Sequence, residues 1–355
     1  MSEVRKTAVV ICPGRGTYNP PELGYLHRYG VAENSIEPIE HYRKRLAKPG
    51  VIELDQSQRY QPAIHTKGEH ASALIYACSV NDFAAIETES IDIVAITGNS
   101  MGWYTTLSLA GALSAQHGIE LVDTMGSMMQ SGIIGGQLIY PVVDENWRYC
   151  EARASHLNNA MQQVNQQFPD SVFLSIRLGG YRVIGGSDDG LKLLLDKLEP
   201  VEERYPLSLP NHAAFHTPLL ERVSAEAKQK LSAQLFNPPT IPMIDGRGHI
   251  WRPYATDPEA LWDYTLGEQV THTYDYSRAV EVALKEFAPD MLITLGPGST
   301  LGGATAQCLI AHQWHELNSK QAFLARQESE PLLLSMGIEA QRNRVSKETK
   351  HGEVE

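Results

Sequence analysis

Four cysteines in 355 residues, Cys12, Cys78, Cys150 and Cys308, stand far apart and form no C-x-x-C pair. That scarcity excludes a disulfide framework and a thiolate zinc site, and it points to a reducing compartment, the cytoplasm. Long apolar runs are missing too: no stretch of about 18 apolar residues occurs. Met1 to Lys6 leads straight into Thr7-Ala8-Val9-Val10-Ile11-Cys12, without the apolar segment of an export signal. Positive charge is in deficit, 30 Lys and Arg against 42 Asp and Glu, for a formal charge of -12. An excess of that sign disfavours nucleic acid and anionic membranes as partners. What is present is 42% hydrophobic residues over a length that exceeds one ordinary domain, so a sizeable core and at least one additional or inserted domain are expected.

The most informative segment is Thr97-Gly98-Asn99-Ser100-Met101-Gly102, which follows the apolar run Ile91 to Ile96 and leads into Trp103-Tyr104-Thr105-Thr106-Leu107. A strand, a G-x-S-x-G turn and a helix form the context in which that pattern presents a nucleophilic serine. The sharp turn crowds the backbone, hence the flanking glycines, and the helix N-terminus directs N–H groups at a developing oxyanion. Ser100 is the first candidate catalytic residue.

Strand-like and helix-like stretches alternate from the N-terminus, with Pro13-Gly14-Arg15-Gly16 closing the first strand and a helical stretch running from Gln61 to about Ala85. This order predicts an α/β fold with a mostly parallel sheet. Between 131 and 207 the order becomes β-α-β-β-α-β, with helices over Asn146 to Gln166 and Asp188 to Leu198, which predicts an inserted ferredoxin-like subdomain. Residues 1–130 and 208–340 then form a discontinuous, hydrolase-like large subdomain, and 341–355, rich in charge and poor in apolar residues, reads as a flexible tail.

A serine hydroxyl needs a base, most often histidine, and thirteen histidines are available. His216 is favoured because Pro210 and Pro218 frame it at the return to the large subdomain. Taken together, Pro13-Gly14-Arg15-Gly16, Gln61-Pro62-Ala63, Gly98-Asn99-Ser100-Met101-Gly102 with Gly111-Ala112-Leu113-Ser114, Phe215-His216-Thr217-Pro218-Leu219 and Leu295-Gly296-Pro297-Gly298 resemble the malonyl-CoA:acyl-carrier-protein transacylases and the acyltransferase domains of fatty-acid and polyketide synthases. The resemblance covers residues 7 to 305. It implies an acyl-CoA:carrier-protein S-acyltransferase with Ser100 as the acyl-accepting nucleophile and His216 as its base. The histidine would be oriented by the backbone carbonyl of Gln269, and the oxyanion hole formed by the backbone N–H groups of Met101 and Arg15. It further implies ping-pong transfer from a CoA thioester to the phosphopantetheine thiol of an acyl carrier protein. CoA thioester is then a substrate, and no bound cofactor or metal is called for.

Departures from the family pattern bear on the cargo. Met125 stands where malonyl-selecting members carry an arginine, and a thioether cannot pair a carboxylate. The expectation is therefore a neutral acyl group, acetyl or longer, packed against Met125 with Met128 or Met129, with Gln61 also contacting substrate. Arg177 is the candidate for a relocated carboxylate partner, and Arg177, Arg182 and Lys192 for carrier docking. The family's usual histidine and glutamate around the elbow are Asn99 and Trp103. Competing readings are a hydrolase of the same family that clears carrier-bound thioesters, and a degenerate subunit that only docks the carrier. A zinc pair at His212 and His216 lacks the glutamate of H-E-x-x-H. A general α/β-hydrolase would use a later histidine such as His249, His272 or His312.

Overall fold

The computed structural model describes residues 5–32, 34–128 and 132–347. Strand β1 (Lys6–Cys12) is sealed from Ala8 to Cys12, as an apolar strand buried on both faces of a parallel sheet must be. The helical stretch expected from Gln61 divides in two. A short helix, Pro62–His65, stops where Lys67 is extended, and helix α1 (Gly68–Ala85) follows. Strand β2 (Ile91–Gly98) runs parallel to β1, with Cys12 opposite Gly98. Helix α2 (Gly102–Leu109) leaves its end, and α3 (Ala115–Ser127) begins on Ser114, whose hydroxyl accepts from the His117 N–H.

The chain then builds a second sheet from β3 (Gly136–Pro141), α4 (Glu151–Gln167), β4 (Val172–Leu178), β5 (Tyr181–Gly186), α5 (Asp188–Lys197) and β6 (Leu207–Ser208). The antiparallel order β6-β3-β5-β4 makes this unit ferredoxin-like, as expected. Helix α4 starts later than Asn146, because the Asp144 carboxylate accepts from the N–H groups of Asn146 and Arg148 and holds a turn there.

Back in the large sheet come β7 (Met243–Ile244) and β8 (Ile250–Trp251). After β9 (Tyr274–Asp275) and α6 (Tyr276–Phe287), the chain adds β10 (Met291–Thr294), α7 (Leu301–Ala311) and β11 (Leu333–Ser335). The order is β11-β10-β1-β2-β7-β8, parallel except for the β7/β8 pair. Strand β9 does not join it. It pairs in parallel with β4, Tyr274 opposite Ile176, and so becomes the fifth strand of the small sheet. Helix α6, which follows directly, packs against both β2 and β4. One large apolar core fills the space around the parallel sheet, and a smaller one, with Leu138, Leu157, Ile184 and Leu194, lies between α4, α5 and the second sheet.

The expected tail does not begin at Gln341. Arg342 is buried and its guanidinium pairs with the sealed Asp82 carboxylate on α1, while Val345 is also buried and the Lys347 N–H donates to Ala85 O at 2.9 Å. Charge content misleads here because the one arginine that matters has a buried counter-ion to neutralise. Residues 348–355 lie outside the described part.

Candidate active site

The turn after β2 is built by close backbone approach. A Cβ on Gly102 would stand 2.2 Å from Cys12 O, and one on Gly98 2.4 Å from the Gly102 backbone, so only glycine fits at either position. Between them Ser100 adopts φ 56°, a left-handed conformation that costs a non-glycine residue of the order of 1 kcal/mol or more. The strain is held by main-chain bonds on both sides: the Asn99 N–H donates to Cys12 O and the Trp103 N–H to Ser100 O, each at 3.0 Å.

His216 meets the elbow from the far side of the chain. Its Nε2 lies 2.7 Å from Ser100 Oγ, and its Nδ1 lies 2.5 Å from Gln269 O. A carbonyl can only accept, so Nδ1 carries the proton and Nε2 is left free to accept from the serine hydroxyl. Burial pushes the imidazole down to about 4, against the smaller opposing effect of the Gln269 carbonyl, so the ring is neutral at pH 7. His216 also has a left-handed φ, 60°, and its N–H donates to Val270 O at 2.8 Å. The Gln269 side chain closes the arrangement: its amide donates to Ser100 O at 3.1 Å and its carbonyl oxygen accepts from Tyr104 at 3.1 Å. The main-chain N–H groups of Met101 and Arg15 donate to no protein acceptor among the described residues.

Ser100 opens into a cavity of about 730 Å³ between the two sheets. Its lining includes the apolar Ile75, Ile139, Ile176, Leu178 and Phe215 and the polar Arg15, Asn99, His65 and His212.

The remaining sequence candidates are not brought together there. Met125 is 3% exposed within α3 and is not among the cavity's lining residues, so the expected packing of cargo on its thioether does not occur. Met129 lies outside the described residues. Gln61 is not among the cavity's lining residues; its main chain hydrogen-bonds Nδ1 of the lining residue His65 at 3.0 Å. Arg177 faces away, 49% exposed and 3.4 Å from Asp275, so it is not the relocated partner of a buried carboxylate. The reason is a bulge: β4 pairs Leu174 with Ile184 and Ile176 with Val183, leaving Ser175 as an extra residue. Without that bulge Ser175 and Arg177 would share a face. With it, Ser175 and Ile176 turn toward the site and Arg177 turns out.

Four residues, Gln137, Ser175, His212 and Asn99, were given no part in this arrangement by the sequence reading. Gln137 donates to Ser175 Oγ at 2.7 Å, Ser175 donates to Phe215 O at 2.8 Å, and Gln137 Oε1 stands 3.0 Å from His212 Nδ1. This chain braces the segment that carries His216. Burial first, and Arg15 second, push His212 down to about 3, so it is a neutral hydrogen-bonding group and not a cation. Asn99 stands apart from this chain, its side-chain oxygen buried without a partner at the cavity wall. Trp103 is core, its indole N–H on Thr265. No cluster of three or more His, Cys, Asp or Glu stands together as a metal site among the described residues, and none of their helices is long and apolar enough to cross a membrane.

No family model matches the chain. It is 25% identical over 252 residues, 70% of its length and 78% of the relative's, to the polyketide biosynthesis malonyl CoA-acyl carrier protein transacylase PksC of Bacillus subtilis. It is 24% identical over 244 residues, 66% of its length and 72% of the relative's, to the malonyl CoA-acyl carrier protein transacylase of Escherichia coli K12. Among solved structures, the malonyl-CoA:ACP transacylase of Synechocystis sp. PCC 6803 superposes with a TM-score of 0.72 at 20% identity, covering 96% of this chain and 100% of that one. A malonyl-transacylase in complex with its type II polyketide-synthase acyl-carrier protein superposes with a TM-score of 0.71 at 18% identity, covering 95% and 98%. The homologues and structural neighbours are thus malonyl-CoA:acyl-carrier-protein transacylases and polyketide-synthase acyltransferases, the family whose motifs the sequence resembles.

Proposed function

We propose that this homologue of the malonyl-CoA:acyl-carrier-protein transacylases moves an acyl group from a CoA thioester to a carrier-protein phosphopantetheine thiol through an acyl-Ser100 intermediate. The observation that carries this reading is the unbroken chain Ser100 Oγ, His216 Nε2, His216 Nδ1, Gln269 O beneath a cavity with two unused main-chain donors. Ser100 Oγ attacks the thioester carbonyl and His216 Nε2 takes its proton, while the carbonyl oxygen becomes an oxyanion between the N–H groups of Met101 and Arg15. Collapse expels the CoA sulfur, which leaves as a thiol with the proton from His216. The phosphopantetheine thiol then returns a proton to His216, attacks the acyl ester and releases Ser100, which recovers its hydrogen. The carbonyl of Gln269 stabilises the transient imidazolium, so no third acid is required.

Methionine at 125 means that α3 imposes no malonyl requirement, and cargo selection passes to the cavity lining. The test is intact-protein mass spectrometry after exposure to a panel of acyl-CoAs, followed by holo carrier protein or water alone. An acyl adduct on Ser100 that discharges to the carrier supports transfer. Discharge to water alone shows a hydrolase, and no adduct with any thioester overturns an acyl-enzyme mechanism.

A further inference from the structure

The peptide that joins Phe215 to His216 is gripped at both ends. Its N–H donates to Val270 O at 2.8 Å, beside the residue whose carbonyl orients the imidazole, and its own carbonyl accepts from Ser175 Oγ at 2.8 Å and from Gln137 Nε2 at 3.4 Å. Between this peptide and the His216 side chain lies the φ rotation, which stands at a left-handed 60°. Histidine holds that conformation at a cost of the order of 1 kcal/mol, so it persists where neighbours over-determine it. A turn toward an ordinary φ would strain all three bonds and swing the Cα–Cβ bond that aims the ring.

Ser175 is sealed, and the β4 bulge is what turns it inward. A carbonyl can only accept, so the one hydroxyl proton of Ser175 is spent on Phe215 O, and its oxygen is left to accept from Gln137 Nε2 at 2.7 Å. Gln137 then presents Oε1 to His212 Nδ1 at 3.0 Å, and that nitrogen carries the ring proton. Every donor in the series points the same way: His212 to Gln137, Gln137 to Ser175, Ser175 to Phe215, and the His216 N–H to Val270. Hydrogen bonds aligned in one sense polarise and strengthen one another.

We propose that Ser175 is a positioning residue for the general base: its hydroxyl locks the Phe215–His216 peptide so that the imidazole stays aimed at Ser100, and Gln137 and His212 hold the hydroxyl in that direction. The proposal rests on the acyl-transfer reading, because it gives these residues a part in the same proton transfer. Gln137 and His212 line the cavity, whereas Ser175 does not. Removing the Ser175 hydroxyl therefore acts on the proton-transfer step and leaves the surface that meets the thioester in place.

The test measures Ser100 acylation by malonyl-CoA and acetyl-CoA, across concentration and pH, in the full chain and in its Ser175→Ala and Ser175→Thr variants. Ser175→Ala should lower the saturating rate by roughly tenfold to a hundredfold, as a displaced base does, and change KM by less than about twofold. Ser175→Thr keeps the hydroxyl and should recover most of the rate. The acid midpoint of the profile, about 4 in the wild type, should rise toward 6.5 in Ser175→Ala as the ring leaves its sealed place. A saturating rate within about twofold of wild type in Ser175→Ala, a loss confined to KM, an unmoved midpoint, or a threonine variant no better than alanine overturns the proposal. If no thioester acylates Ser100 in the wild type, the transfer reading fails separately, and nitrogen NMR of the imidazoles decides the role of Ser175. A His216 ring protonated at Nδ1 in the wild type and averaged between tautomers in Ser175→Ala supports it, and an unchanged ring overturns it.

Discussion

The floor of the cavity and its walls are held in different ways. At the floor, Ser100 and His216 sit in left-handed backbone conformations. The first is pinned by the Trp103 N–H on its carbonyl and by the bond of its neighbour Asn99 to Cys12, the second by its own bond to Val270, and the group that orients the histidine is itself a main-chain carbonyl. At the walls, Arg15, Asn99, His212 and Ile176 act through side chains borne by loops and by a bulged strand. Backbone geometry tolerates few residue types, whereas a side chain on a wall can be exchanged without disturbing the turn that carries it. The contrast explains how the reacting groups keep the family pattern while methionine stands at 125 and arginine at 15.

Ways to break that contrast begin at the floor. Ser100→Ala should abolish the acyl adduct and lower transfer by about four to six orders of magnitude, read by mass spectrometry and carrier loading. Gly102→Ala places a Cβ against Cys12 O and should destabilise the fold by about 3 kcal/mol, seen as a clear fall in Tm together with loss of activity. Acidification should act through His216: kcat/KM for acylation, flat above about pH 5, should fall tenfold per pH unit below about pH 4, as the base becomes protonated. Stability follows the same group. The unfolded chain takes up a proton near 6.5 that the folded chain refuses until about 4, so stability should drop as pH falls through that window, by roughly 1.4 kcal/mol per unit from His216. His212 adds a loss of the same sign that continues to about pH 3. At the outer face, Arg177→Ala removes only an exposed pair with Asp275 and should change stability by about 0.5 kcal/mol or less and transfer by less than about twofold.

Legibility in the sequence divides along the same line. The G-x-S-x-G turn was readable because a missing Cβ is visible in the sequence, and the succession of elements in the inserted unit was readable from the alternation of β and α segments. The orientation of Arg177 was not, since a single extra residue at Ser175 reverses which side chains face the cavity, and nothing in the local composition announces it. Strand β9 was equally silent: two residues long, it gains its place from β4 and not from any periodicity of its own. Arg342 was misread because its partner, Asp82, lies far away in the chain, where pattern cannot connect the two charges.

The edge strand β9 has a mechanical consequence. Because Tyr274 and Asp275 are bonded to the small sheet while the helix they lead into is packed against β2, the two sheets share a common beam. A clamshell swing about the cavity would have to shear that beam. The space between the sheets is therefore bounded at one edge by covalently continuous backbone, from β9 into α6.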